Sequence, residues 1–546
     1  ITYPMLEAEF QGAAAIISAN VGGYAQIADD ALNNQDICAP ISIPSVSIGV
    51  ADAKEIQEKI LQGKTMATLI VDNIVEEGGV TYNIIGKIPG KSDEHQIVVG
   101  AHYDMYFNGF QDDSAAVGLS LAMAKAMIDS GYTPENDIIF SMHGAEEWGS
   151  IGTQYDWTVG AWEMVNTLNP EWTDKTLAFI NFELPAYAFG TSTKTASAPE
   201  MFSMISHFTN EYELTPDPTK VFPDGIDTEG SPTYTYSDDF SYYIAGIPST
   251  VNGTVSADSV KDGSDFMVNM YHSNYDTYET YNEDVMEFNL QYYGALAMYI
   301  DAHPALYLDF TAQYDRILES ISEETMQLSD VDMNLYMQAL DNLKQSAELM
   351  TQKVEQINND YNAAKINNDD EAMKQLWAQG KELTKQNLAA FKFAQDTLLS
   401  LMYERPIVPH EAPQENIELM SEIVKLLENG EGDVAVDEYV WQVNNIFEWY
   451  AMYFSPEVID IQNEMIWGES NADNLYWGTN KGFIKADVED ATRSLMLKYG
   501  TDEIDFTNEI QIYKEAIESQ KDILKDLATK EISDINELAT KLKLNP

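Results

Sequence analysis

The chain has 546 residues, 45% of them hydrophobic, which is enough for about two to four domains with buried cores. Its 90 acidic and 30 basic residues give a net charge of −60, which argues against a nucleic-acid partner because phosphate binding needs a basic patch. The single cysteine, Cys38, excludes an internal disulfide. No apolar run approaches the ~20 residues of a membrane-spanning helix, so we expect no span.

Residues 1–64 predict a small module of strands with one helix. A run of small and apolar residues, GAAAIISANVGG, comes before a polar loop. A β-branched segment, IPSVSIGV, then leads into a helix that begins near Ala51. We interpret these residues as a first domain.

Residues 65–310 alternate apolar strand segments with helices. Buried strands are predicted at 97–101, 138–140 and 177–183, with an apolar helix at 115–130 after the first of them. A strand, helix and strand in this order predict parallel neighbours with a right-handed crossover. The expected fold class is therefore α/β, an open and mostly parallel sheet with flanking helices.

Histidine and carboxylate side chains follow these strands. His102 ends the first, Glu146 and Glu147 follow the second, and Glu183 ends the third. Strand ends are where an open α/β sheet binds its ligands, and these residue types are ligands of catalytic zinc. Each alone has an ordinary explanation as a rim or surface residue, so the prediction rests on their combination. His143 and the other remaining histidines are expected to be structural or surface residues.

Residues 311–546 change to a helical pattern. Apolar residues from Met333 to Tyr361 recur at alternating spacings of three and four, which predicts one long helix with a single buried face. The run NNDD at 367–370 ends this helix, and a second long helix to about residue 401 completes a hairpin. Further helices follow a proline-rich linker, so we expect an all-α domain.

Six motifs resemble those of the co-catalytic zinc exopeptidases, the family that includes bacterial leucyl aminopeptidases, glutamate carboxypeptidase II and the transferrin receptor. In the family's order they are HYD at 102–104, DDSAAVG at 112–118, EEWGSIG at 146–152, NFE at 181–183, SDDF…GIPS at 237–249 and YHSNYDTYE at 271–279. The resemblance implies the zinc exopeptidase fold for residues 65–310. GAAAII and IPSVSIG resemble the second half of a protease-associated domain, with an ordinary strand-rich subdomain as the alternative.

The resemblance implies two zinc ions that share a bridging carboxylate and activate a water between them. Carried over by motif, the ligands are His102 and Glu183 for one ion, Glu147 and His272 for the other, and Asp112 as the bridge. Asp112 is preferred to Asp113 because the family places the bridge directly before an acidic or amide residue and a small-residue turn. Glu183 stands where most relatives have aspartate, and the extra methylene puts the geometry at one ion in doubt.

The motifs also supply groups for catalysis. Glu146 is free to act as general base, taking a proton from the water and returning it to the leaving amine. Tyr271 is placed to donate a hydrogen bond to the developing oxyanion. Asp104 is expected to fix the imidazole of His102, and Asp276 to do the same for the second histidine.

We expect a secreted zinc exopeptidase that acts on peptides. Aminopeptidases bind the substrate ammonium with carboxylates, whereas carboxypeptidases need an arginine or lysine for the terminal carboxylate. The catalytic half is poor in basic residues, which favours an aminopeptidase, although one correctly placed lysine would suffice for a carboxypeptidase. A peptide amidohydrolase or glutaminyl cyclase on the same fold is an alternative. A non-catalytic binding protein like the transferrin receptor is another, but it predicts damaged ligands and all positions are filled.

The resemblance also implies partners. In the relatives the protease-associated domain interrupts the catalytic domain, whereas Ile1 falls inside that insert. Half a module would expose strand edges, so we expect an upstream segment or a companion fragment that completes both domains. A homodimer, if formed, is expected to use the helical domain at 311–546.

Overall fold

A computed structural model describes the chain in segments: residues 3–19, 29–32, 43–64, 66–72, 74, 76, 78–149, 157–187, 190–211, 218–230, 235–255, 266–402, 405–445, 454–467, 484–502 and 505–544. The chain divides into a first unit, residues 1–243 with 247–303, and a second unit, residues 304–546 with 244–246. The three predicted domains, 1–64, 65–310 and 311–546, stay a prediction.

The first unit is organised around one sheet. Its described strands are β1 (Ile16–Ser18), β2 (Ser45–Ser47), β3 (Ile84–Ile88), β4 (Ser92–His102), β5 (Asn136–His143), β6 (Thr176–Asn181), β7 (Ser192–Ser197), β8 (Gly225–Gly230) and β9 (Ser249–Val255). The sheet has the order β3-β5-β4-β6-β9-β7-β8. The central strands β5, β4, β6 and β9 are parallel neighbours, and β8 is parallel to β7. Only the pairs β3–β5 and β7–β9 within this sheet are antiparallel, so the predicted mostly parallel α/β sheet is confirmed.

Helices flank this sheet. Those described in the first unit are α1 (Tyr3–Phe10), α2 (Val50–Leu61), α3 (Ala115–Asp129), α4 (Val159–Glu163), α5 (Phe202–Glu211), α6 (Pro218–Val221), α7 (Asp238–Ala245), α8 (Phe266–Asn269) and α9 (Glu283–Ala302). α3 packs against β4 and β5, and α9 packs against α3 and β6. Every residue of β5 and β6 is buried, which explains why these strands read as continuous apolar runs.

The packing around Gly100 fixes the end of β4. A Cβ at this position would lie 2.3 Å from the ring of Phe179, so a larger residue does not fit. The Phe179 ring in turn stacks on Tyr242 of α7, with centroids 3.7 Å apart. The end of β4 at Gly100 therefore packs against a rigid aromatic pair, which restrains the position of His102 two residues later.

At the start of the chain, β1 and β2 form a parallel two-stranded sheet, and α2 follows β2. The strands and the helix agree with the module expected there. No residue of α2 is buried. The likeness of this segment to a protease-associated domain stays a prediction.

The second unit is helical. Its described helices are α10 (Thr311–Ser320), α11 (Glu323–Leu328), α12 (Met333–Ile366), α13 (Asp370–Leu398), α14 (Glu411–Glu428), α15 (Gly432–Glu438), α16 (Pro456–Trp467), α17 (Glu489–Lys498) and α18 (Thr507–Lys541), joined by a short antiparallel pair, β10 (Ser400–Met402) and β11 (Arg405–Ile407). The predicted helical C-terminal region is confirmed. None of the described helices has the length and apolar character needed to cross a bilayer.

The long helical hairpin of the second unit is α12 with α13. α12 buries the apolar face that the alternating spacing predicts, including Tyr336, Leu340 and Leu343. The NNDD run ends α12 and also begins α13, because the side chain of Asp369 accepts a hydrogen bond from the backbone N–H of Ala372. α18 packs against both α12 and α13, so the hairpin becomes a three-helix assembly.

Candidate metal centre

The C-terminal ends of three parallel strands bring predicted ligands to one edge of the sheet. His102 is the last residue of β4, Glu147 follows the end of β5, and Glu183 follows the end of β6. β4 lies between β5 and β6 in the sheet. Neighbouring parallel strands end side by side, so these side chains converge.

Asp112 lies between the two predicted histidine ligands. It comes from the tight turn Phe110–Ser114 before α3, where the peptide bond from Asp112 to Asp113 is cis. Its Oδ1 is 3.0 Å from Nε2 of His102, and its Oδ2 is 2.9 Å from Nε2 of His272. One carboxylate thus presents a different oxygen to each imidazole, which is the arrangement that a bridging ligand requires.

The remaining predicted ligands divide between these two histidines. Oε2 of Glu183 lies 3.7 Å from Nε2 of His102, and Oε2 of Glu147 lies 3.5 Å from Nε2 of His272. Glu147 also has an oxygen within 4.8 Å of ligand atoms of His102 and Asp112. We keep it with His272 because that separation is the shorter one. All five residues chosen from the motifs therefore meet in one cluster.

Asp113 also belongs to the cluster. Its Oδ2 accepts a hydrogen bond from the backbone N–H of His102 at 3.2 Å and lies 3.9 Å from Nε2 of the same residue. His102, Asp113 and Glu183 have ligand atoms within 4.8 Å of one another. Asp113, which was not preferred as a ligand from the sequence, thus makes a definite contact with the backbone of His102.

The charge balance of the cluster fits divalent cations. Burial and neighbouring carboxylates raise the pKa of Glu147 to about 10 and raise the pKa values of Glu183 and Glu146. Against the effect of burial, hydrogen bonds from the two histidines hold the pKa of Asp112 well below its usual range. Both carboxylate oxygens of Glu147 are buried without a hydrogen-bond partner among the described residues. Carboxylates this close together need a cation or a proton to offset their repulsion.

Glu146, the predicted general base, faces the same cluster. It is buried, and its Oε2 lies 3.8 Å from Nε2 of His102. A buried carboxylate beside the candidate metal ligands is suited to proton transfer.

Tyr271, the predicted oxyanion donor, stacks on the ring of His272 with centroids 3.6 Å apart. Burial raises the pKa of its hydroxyl well above the usual value, and the nearby carboxylates, Asp112 and Glu147 among them, raise it further. The hydroxyl therefore stays protonated near neutral pH. It remains able to donate a hydrogen bond.

Residues 83–295 match the sequence model of peptidase family M28. We name this segment the M28 domain after that match. The match covers all five candidate ligands, Glu146 and Tyr271, so the resemblance that the motifs predict is confirmed for this part of the chain.

Relatives of the M28 domain include peptidases and one receptor. A probable leucine aminopeptidase 2 from Aspergillus fumigatus is 29% identical over 193 residues, 34% of this chain and 36% of the relative. Transferrin receptor protein 1 from Gallus gallus is 23% identical over 194 residues, 32% of this chain and 24% of the receptor. A solved zinc aminopeptidase from Bacillus subtilis aligns over 55% of this chain and 67% of its own, with 18% identity and a TM-score of 0.39. The chain thus spans about a third or less of the two curated relatives.

Within the M28 domain, Asp104 has further partners besides the expected imidazole of His102. Its two carboxylate oxygens accept hydrogen bonds from the backbone N–H groups of Glu146 and Glu147, both at 3.1 Å. Nδ1 of His102 lies 3.0 Å from the backbone oxygen of Asp104 but 3.7 Å from its carboxylate. Asp104 therefore fixes the acidic pair, while its backbone orients the imidazole.

Asp276 acts on another part of the M28 site. It accepts hydrogen bonds from the backbone N–H groups of Gln111 at 2.9 Å and Asp112 at 3.1 Å. It thus holds the turn that carries the bridging carboxylate. The expected contact with the imidazole of His272 is not formed, since Nδ1 of His272 has no hydrogen-bond partner among the described residues.

Sequence reasoning missed Tyr106 as a residue of the site. Its hydroxyl donates a hydrogen bond to the backbone carbonyl of Glu147 at 3.1 Å, and its ring meets His272 edge-on at 4.8 Å. Its place four residues after His102 was the only available signal. His143, by contrast, is fully buried and bonded through Nδ1 to Asp238 at 2.7 Å, as expected of a structural histidine.

Proposed function

We propose that the protein is a zinc-dependent exopeptidase, specifically an aminopeptidase with a two-zinc site. The observation that carries the proposal is the position of Asp112, with one carboxylate oxygen facing His102 and the other facing His272. Single-metal sites do not need a ligand that presents both oxygens to two separate histidines. The M28 match of residues 83–295 supports the same reaction class.

The side chains divide into those that hold the metal and those that act on the substrate. His102 and Glu183 would hold one ion, Glu147 and His272 the other, and Asp112 both. When bound, zinc polarises the scissile carbonyl and lowers the pKa of an attacking water. These roles leave Glu146 and Tyr271 for the chemistry of the peptide.

Glu146 and Tyr271 would carry out the proton transfer and the stabilisation of charge. The carboxylate of Glu146 takes the proton of the attacking water and delivers it to the departing amine nitrogen. The hydroxyl of Tyr271 donates to the oxygen of the former carbonyl as negative charge develops there. Glu146 is buried and Tyr271 is half-buried, so these interactions are stronger than they would be in water.

The distribution of basic residues supports aminopeptidase specificity. The M28 segment contains seven lysines and no arginine. Lys87 pairs with Asp137 and Lys91 with Glu135. Both pairs lie at the start of β5, at the opposite end of the strand from Glu146. A site dominated by carboxylates suits a substrate ammonium better than a terminal carboxylate.

We expect hydrolysis of amino-acid p-nitroanilides that have a free α-amino group. The N-acetylated forms should not be hydrolysed, because they lack the ammonium. Chelation should abolish the activity, and zinc should restore it. Release of product would be followed by absorbance, with N-blocked dipeptides as carboxypeptidase substrates. Cleavage of only the blocked dipeptides would indicate a carboxypeptidase, and no cleavage by the zinc-loaded protein would contradict an enzymatic function.

Replacing one ligand is expected to change the metal count. The wild-type chain should retain about two zinc ions after gel filtration, and Glu147→Ala about one, because Glu147 is assigned to the ion beside His272, whose Nε2 lies 3.5 Å from its carboxylate. Elemental analysis by mass spectrometry would measure the ratio. Glu135→Ala removes an acidic residue at the far end of the same strand and should retain two. A count of one in the wild type, or of two in Glu147→Ala, would contradict the assignment.

A further inference from the structure

Glu183 is the most exposed of the five candidate ligands. It follows the last residue of β6 and lies beyond the last paired position of β6 with β9, which joins Asn181 to Val251. Its side chain is 23% exposed, whereas those of the other four candidate ligands are at most 6% exposed. A partly exposed glutamate loses side-chain conformational entropy when it is ordered. Another contact must hold it.

Asn252 supplies that contact from the neighbouring strand β9. Its Oδ1 accepts a hydrogen bond from the backbone N–H of Glu183 at 2.8 Å, and its Nδ2 donates to the backbone carbonyl of the same residue at 2.8 Å. The side chain is buried. The side-chain amide of Asn252 thereby takes the place of a peptide group and extends the hydrogen bonding between β6 and β9 to Glu183.

A second amide holds the carboxylate of Glu183. Nδ2 of Asn181 lies 3.2 Å from Oε1 of Glu183 and 3.3 Å from Oγ of Ser237. The hydroxyl of Ser237 donates onward to Asp239 at 2.6 Å. Oε1 of Glu183 is therefore engaged by an amide, while Oε2 faces His102. The longer side chain thus has both its backbone and one carboxylate oxygen fixed.

We propose that Asn252 is a positioning residue for the metal site on the His102 side, acting through the backbone of Glu183. This inference rests on the proposed two-zinc function. Asp104 and Asp276 hold the backbones of Glu147 and Asp112 in a comparable way. Asn252 performs this task for Glu183, the most exposed of the five candidate ligands. Loss of Asn252 therefore weakens the binding of the ion on the His102 side and leaves the binding of the ion beside His272 unchanged.

The test is a zinc competition titration of the full chain with a chelating indicator. The wild type is expected to bind two ions, and Asn252→Ala to bind one of them about 10- to 100-fold more weakly, the usual effect of a group that orients a ligand. In the Glu147→Ala background, only the ion on the His102 side remains. Asn252→Ala should lower the affinity for that ion by the same factor. Asn252→Asp keeps the shape and the acceptor but loses the donor, so it should shift affinity in the same direction if the alanine variant does not fold.

Asn289→Ala is the matched control. Asn289 is also buried and donates a hydrogen bond from Nδ2 to the backbone carbonyl of Pro185 at 2.7 Å, in the same loop but beyond the ligand. This variant should keep both affinities. Unchanged zinc affinity in the Asn252 variants, or an equal loss in Asn289→Ala, would overturn the positioning role while leaving the proposed function intact. A wild-type chain that binds no zinc would overturn both.

Discussion

Replacing Glu146 with glutamine is expected to lower turnover by about 10²- to 10⁴-fold while zinc content and folding stay unchanged. Glutamine keeps the shape of the side chain but cannot accept the proton of the attacking water. Glu146 is buried beside the candidate ligands, with Oε2 3.8 Å from Nε2 of His102, and the proposed function gives the metal ligands to five other side chains. Its loss should therefore affect chemistry rather than metal binding. Steady-state kinetics on a p-nitroanilide, together with zinc analysis, would measure both.

The same change at Glu135 provides a control for the effect of removing one acidic charge from the domain. Glu135 pairs with Lys91 at the other end of β5, so Glu135→Gln should keep normal turnover. Near-normal turnover of Glu146→Gln would show that another group takes the proton. A loss of zinc from Glu146→Gln would instead identify Glu146 as a ligand.

The strands and strand ends of the M28 domain were predictable from the sequence because the central strands are buried on both faces. Such strands read as uninterrupted apolar runs, so the first polar residue after each run is visible. His102 is such a residue, whereas Glu147 and Glu183 stand further along and were selected from the motifs that follow β5 and β6. Their convergence follows from the parallel order of β5, β4 and β6.

The residues that hold the site could not be predicted in this way. Asp104 bonds to the backbone 42 and 43 residues away, Asp276 to backbone 164 and 165 residues away, and Asn252 to backbone 69 residues away. A bond from a side chain to a distant backbone group does not depend on the residue type at the distant position. It therefore leaves no periodic or local signal in a single sequence. Asp104 does lie against the imidazole of His102 as expected, but its bonds to the backbone of Glu146 and Glu147 were not foreseen, and Asp276 holds the turn at Asp112 and not the imidazole of His272.

The helical unit shows a similar division. The regular spacing of apolar residues predicted α12, and the NNDD run marked the turn to α13. The packing of α18 on this hairpin was not predictable, because α18 begins more than a hundred residues after α13 ends. One consequence is a buried charged cluster in which His410 and Glu531 meet.

His410 and Glu531 form a buried pair in the second unit. Glu531 accepts hydrogen bonds from the backbone N–H of His410 at 2.8 Å and from the hydroxyl of Tyr336 at 2.5 Å. Nδ1 of His410 lies 3.0 Å from Oε2 of Glu531, and its Nε2 lies 3.2 Å from Oγ of Ser320. Burial alone would lower the pKa of His410, but Glu531 raises it above the ordinary value of 6.5.

Glu531→Gln is expected to lower the free energy of unfolding by about 3–5 kcal/mol, the usual effect of leaving one member of a buried pair without its partner. The variant keeps the shape of the side chain but leaves the imidazolium of His410 buried beside a neutral amide. Urea unfolding of the full chain, followed by circular dichroism, would measure the loss in the transition of the helical unit. Glu428→Gln is the control, because Glu428 pairs with Lys514 between the same helices, α14 and α18, at 2.6 Å but with both side chains about half exposed. This variant should lower the free energy of unfolding by at most about 1 kcal/mol.

The loss in Glu531→Gln should also depend on pH. The pKa of His410 is raised in the folded state, so the stabilisation is complete below the ordinary pKa and disappears as the pH rises through the folded value. The difference in unfolding free energy between wild type and Glu531→Gln should therefore be largest below the ordinary histidine pKa of 6.5 and shrink as the pH rises above it through the raised pKa of the folded state. Self-repulsion of the −60 net charge acts on both proteins, so it cancels in this difference. A difference that stays constant across this range would show that His410 is neutral in the folded chain and that Glu531 stabilises it through shape and neutral hydrogen bonds alone.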